Sequence, residues 1–172
     1  MIYVVLSGRY LLAGVFLVAL VGKLRCRAAY LEFVTATGAL LGANTRTARW
    51  AAGATVAIEA ITVCALIAEP AARVGLGLAA LLLGCFTVAL IRALRRGSTT
   101  PCRCFGASTA PIRARHAMRS AALGVIALGG LLVDLTLDAH HYEPAGVAVA
   151  APAVAAGILL TTRLDDVADL LR

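Results

Sequence analysis

Charge is scarce in this sequence. Only 15% of its 172 residues are Asp, Glu, Lys or Arg, against about 25% in soluble domains. Hydrophobic residues make up 61% and the mean hydropathy is +0.90. A soluble fold is excluded, and with it any soluble module that could carry nucleic-acid recognition, despite the net charge of +7. The five cysteines are an odd number, which does not suit the fully paired framework of a small secreted domain. No basic stretch precedes the first apolar run and no small-residue cleavage site follows it. That run is therefore expected to be retained as a membrane span.

What is there reads as membrane helices joined by arginine-rich connectors. The first span covers about 2–22, long enough to cross a hydrocarbon core at ~1.5 Å per residue. Lys23, Arg25 and Arg27 close it, and their long stems can reach the headgroups. Arg9 falls inside this span if it begins at Ile2, and at its edge if it begins near Gly8. Ala29 to Leu41 is too short and polar to cross, and reads as a helix lying along the interface, ending near Gly38 or Gly42. Asn44 to Thr47 reads as a turn, with Trp50 anchoring a second span over about 50–68. Glu69-Pro70 separates it from a third span, about 72–94, which stops at arginines. A fourth follows over about 117–137, and a fifth segment, 145–162, is expected to insert although Pro152 lies within it.

The expected fold is thus an all-α bundle forming one integral membrane domain over 1–172. Four core spans, one interfacial helix and the C-terminal segment compose it. The connector Lys23–Arg49 holds five basic residues against Glu32, and the connector Arg92–Arg119 holds seven with no acid. Both fall on one side of the membrane, and the positive-inside rule assigns that side to the cytoplasm.

Two features carry chemistry. Glu59 sits near the middle of the second span, where a lone carboxylate costs at least a few kcal/mol by insertion scales. It needs a partner, and Arg9 is the candidate for a buried polar pair. The second feature is Pro101-Cys102-Arg103-Cys104-Phe105-Gly106, two thiols one residue apart in the more basic connector. A bridge across so short a separation would be strained and easily reduced, the kind that exchanges. Arg103 and Arg96 nearby would favour thiolates. A metal reading competes with this one. Cys26, Cys102, Cys104 and His116 share the basic side, and tetrahedral zinc takes four such ligands. Cys64 and Cys85, inside spans, read as small buried hydrophobes.

Together these residues resemble a known family. Ser7-Gly8-Arg9-Tyr10-Leu11-Leu12-Ala13-Gly14-Val15-Phe16, running on to Gly22-Lys23-Leu24, is similar to the first helix of DoxX-like membrane proteins, and Glu59 fits the same pattern. Cys102-Arg103-Cys104-Phe105-Gly106 resembles the C-x-C-F-G signature of the MauE branch, the methylamine-utilisation accessory proteins of bacteria. The likeness covers about 7–137. It implies thiol–disulfide work in a bacterial cytoplasmic membrane, supporting a disulfide-bearing client together with a thioredoxin-like partner. Cys102 and Cys104 would then be the redox pair. The alternatives are a non-enzymatic or metal-binding membrane partner, and, by analogy with DoxX relatives, a subunit that binds quinone or another small molecule. A client matured outside the cytoplasm conflicts with the side that the arginines assign to the cysteines.

Overall fold

The structure, a computed structural model, describes residues 2–97 and 114–137 together with position 155. The described residues form five α-helices and one 3-10 turn: α1 (Ile2–Leu24), α2 (Arg27–Leu41), α3 (Thr45–Ile67), the turn Glu69–Ala71, α4 (Ala72–Arg95) and α5 (Ala114–Leu137). Four stretches of 20 to 27 residues, carried by α1, α3, α4 with the turn before it, and α5, are long and apolar enough to cross a bilayer. At ~1.5 Å per residue the 23 residues of α3 reach about 35 Å, slightly more than a hydrocarbon core of ~30 Å. The segment 145–162, position 155 apart, and the residues Cys102, Arg103 and Cys104 lie outside the described residues.

Local sequence sets the helix ends. Asn44 is the N-cap of α3, its side chain accepting from the Thr47 N–H at 2.9 Å. The second span therefore begins at Thr45, five residues before Trp50, and the stretch read as a turn is its first helical turn. Pro70 lacks an N–H and breaks the chain between α3 and α4. α2 stops at Gly42, whose φ of 62° is left-handed backbone that glycine adopts without strain. Gly97, with a φ of 66°, ends α4 in the same way.

The long helices alternate in direction, and their ion pairs and close approaches give the register. Arg73 at the start of α4 pairs with Asp134 near the end of α5 at 2.7 Å. Farther along the same pair, Ser120 Oγ in the second turn of α5 donates to the Leu83 carbonyl midway along α4 at 3.1 Å. The main core runs through α1, α3, α4 and α5, with Leu12, Phe16, Leu66, Leu83 and Leu123 at its centre. α2 does not cross this bundle. Phe33 and Val34 fold it back onto Ala48 and Ala52 of α3. Small residues let helices meet backbone to backbone. A Cβ built on Gly75 would lie 2.7 Å from the Leu66 nitrogen, so only glycine permits this approach of α4 to the end of α3.

This topology gathers the basic residues of the described chain at one end, Arg9 and Arg73 apart. The close of α1, all of α2, the start of α3, the close of α4 and the start of α5 meet there. The residues bracketing the cysteine connector, Gly97 and Ala114, belong to that end too.

Candidate functional site

Arg9 on α1 and Glu59 on α3 are both buried, but they do not pair with each other. Glu59 is fully buried and Arg9 is 2% exposed. The partner of Glu59 is Lys23, whose Nζ lies 2.6 and 2.7 Å from the two carboxylate oxygens. Lys23 itself is buried instead of reaching toward the headgroups. Its stem folds back into the bundle, where its ammonium compensates a carboxylate that would otherwise stand as an unpaired charge in apolar surroundings.

Aromatic rings complete the enclosure. The Lys23 ammonium lies 4.9 Å from the ring centre of Phe33 on α2 and 5.9 Å from that of Phe86 on α4. Both distances fall within the ~6 Å range of cation–π attraction. One ion pair thus joins four helices: α1 through Lys23, α2 through Phe33, α3 through Glu59 and α4 through Phe86.

Arg9 has a different task. α1 begins at Ile2, which sets Arg9 two turns inside the helix. In the antiparallel register it lies level with the close of α3, seven or eight residues beyond Glu59 along that helix, about 11 Å at 1.5 Å per residue. There it donates through Nε to the Leu66 carbonyl and through Nη2 to the Ile67 carbonyl at 2.9 Å. The last carbonyls of a helix have no partner within it, and in a membrane they lack water as well. A guanidinium at this end also complements the negative pole of the helix. Arg9 is a C-cap for α3, and the proposed Arg9–Glu59 pair is corrected accordingly.

The cysteines divide by position. Cys26 is the exposed N-cap of α2, at the basic end. Cys64 and Cys85 were expected in the interior, but both are exposed on the outer surface of their helices. They take this position because the inward face of each helix is already filled by larger side chains such as Leu66 and Leu83. Of the groups proposed for a metal, His116 is buried near the start of α5, while Cys102 and Cys104 lie outside the described residues. Among the described residues no group of three His, Cys, Asp or Glu side chains is placed to hold a metal ion. Arg96, expected to tune the cysteines, is exposed and caps the close of α4.

Sequence reasoning missed Lys23. Its signal was present in the need of Glu59 for a cation and in the few basic residues of α1 able to supply one. Arg9 and Lys23 both qualified, and only the helix register separates them.

Comparison with known proteins adds one finding. The family described as methylamine utilisation protein MauE matches residues 1–133, which takes in the four spanning helices except the last residues of α5, as well as the Cys102-x-Cys104 connector. No curated protein and no solved structure matches the chain.

Proposed function

The chain belongs to the MauE family of methylamine utilisation proteins, and from that premise we propose that it is the membrane component of a thiol–disulfide pathway in which Cys102 and Cys104 exchange. The observation that carries this reading is the Cys102-Arg103-Cys104-Phe105-Gly106 motif, which lies within the family match and in a connector without acidic residues.

In the oxidised state the two sulfurs share a bridge. A thiolate of a client dithiol attacks one of them, and the other cysteine leaves as a thiolate, giving a mixed disulfide. The second client thiolate then displaces the bound cysteine. The client gains a disulfide, and the pair now holds the two electrons and takes up protons as thiols. A thioredoxin-like protein in its disulfide form removes those electrons through the same two displacements. Arg103 and Arg96 contribute positive charge that favours the attacking and leaving thiolates. A bridge across one residue is strained, so its potential would lie above the range below about −300 mV that is typical of structural disulfides.

The bundle acts as a holder in this reading. Lys23–Glu59 fixes α1, α2, α3 and α4 at the end where the connector leaves and returns, and Arg9 fixes the far end. The basic end faces the cytoplasm by the positive-inside rule, so the exchange partner is one accessible from that face. Cys102→Ser and Cys104→Ser should each abolish maturation of the client while leaving the chain inserted and folded. Full activity in either variant would overturn the redox assignment. Loss of a bound zinc in both would establish a metal site in its place.

A further inference from the structure

We infer that the cleft between the close of α2 and the outer face of α4 is a binding site for an anionic phospholipid, with its phosphate held by Arg92 and Arg96. The cleft has a volume of about 560 Å³, within the ~300–1,000 Å³ of pockets that hold drug-sized ligands, enough for a headgroup and part of an acyl chain. Leu40 and Leu41 form one wall, and Leu81 and Val88 the other. Gly84 opens its floor, since a Cβ built there meets nothing within 4 Å.

Three features select this ligand over a wholly apolar one. First, the lining is apolar along its length except at one end, where Arg92 in the last turn of α4 and Arg96 at its C-cap, four residues on, both line the cleft. Residues four apart on a helix are neighbours, so the two guanidinium groups can address one phosphate together. Second, they lie at the end of the bundle where basic residues collect, the level at which a headgroup sits. Third, the run from Leu81 to Arg92 spans eleven residues, about 16 Å at 1.5 Å per residue. Half of a ~30 Å hydrocarbon core is about the same length. One acyl chain extended along the cleft would therefore cross a single leaflet and bring its phosphate level with the arginines. The four residues Leu81, Cys85, Val88 and Arg92 recur at helical spacing and keep the cleft on one face of α4.

The site is tested in nanodiscs made of phosphatidylcholine with a minor share of phosphatidylglycerol. Lipid retained by the protein is read by native mass spectrometry after release from the disc. The full chain should retain phosphatidylglycerol in preference to phosphatidylcholine. Arg92→Gln and Arg96→Gln should each lower that preference about fivefold, the effect of about one basic side chain near an anionic headgroup. Gly84→Leu, which has room for its side chain, should remove the retained lipid with both arginines intact. The exposed Arg46 and Arg49, at the same end but outside the cleft, supply the control. Arg46→Gln with Arg49→Gln should leave retention unchanged. Equal loss from the control pair would reduce the effect to general attraction of the basic end and overturn the site. So would retention that survives Gly84→Leu. No lipid of either kind retained by the full chain would mean that another part of the chain fills the cleft, and would overturn the site.

Discussion

Lys23 Nζ is held between both carboxylate oxygens of Glu59 at 2.6 and 2.7 Å, and neither side chain reaches the surface of the bundle. The pair ties the last turn of α1 to the middle of α3. Breaking a buried pair by removing one partner costs roughly 3–5 kcal/mol, since the other charge is left uncompensated. Lys23→Met and Glu59→Gln should each destabilise the bundle by that order, read as a lower midpoint of unfolding in detergent. The double variant should recover a large part of the loss. Additive losses would mean that the two groups do not depend on each other.

Arg9 should behave independently of that pair. Its hydrogen bonds go to the Leu66 and Ile67 carbonyls, and a bond to a charged group contributes about 1.5–3 kcal/mol. Arg9→Met should cost an amount of that order, and combining it with Glu59→Gln should give the sum of the two single losses. Strong coupling between Arg9 and Glu59 would contradict the C-cap assignment.

Gly75 is the position least able to change. Its missing Cβ leaves room for the backbone of Ala65 and Leu66, which would otherwise lie 2.9 and 2.7 Å away. Overpacking a tight contact costs typically 1–3 kcal/mol. Gly75→Ala should lower stability by about that amount, and Gly77→Ala, where a Cβ meets nothing within 4 Å, should not. Equal stability of the two variants would show that α3 and α4 are not in close backbone contact.

Orientation can be read with the cysteines already present. Cys26 lies exposed at the basic end, and Cys64 is exposed near the close of α3 at the opposite end. In chains with a single cysteine, an impermeant thiol reagent should leave Cys26 unlabelled in intact cells and label it after permeabilisation. Labelling of Cys26 in intact cells would place the basic end outside.

The spans were legible because their length and hydropathy are set by the bilayer, whatever packs against them. Arg9 and Glu59 were legible as buried groups because charge in a span needs an explanation. Their partners were not legible. Lys23 stands in the last turn of its helix, where lysines ordinarily reach for headgroups, and its inward turn depends on the register of α1 against α3. The outward placement of Cys64 and Cys85 was hidden for a similar reason. In the turns around Cys64 and Cys85 both helices are apolar on nearly all sides, so hydrophobicity does not say there which face the neighbours cover. The start of α3 was misplaced because Asn44 signals a helix cap and a turn equally well until its bond to Thr47 is seen.

The central claim is that Cys102 and Cys104 exchange disulfides with another protein, and trapping the mixed disulfide tests it most directly. With Cys104 replaced by serine, a bond formed at Cys102 cannot be resolved from within the pair. The Cys104→Ser chain, isolated from cells after acid quenching and alkylation, should carry a covalent conjugate that disappears on reduction and maps to Cys102. The partner released should be a thioredoxin-like protein or a disulfide-bearing client. Absence of any such conjugate from both Cys104→Ser and the reciprocal Cys102→Ser chain, each shown to be folded and inserted, would contradict the account.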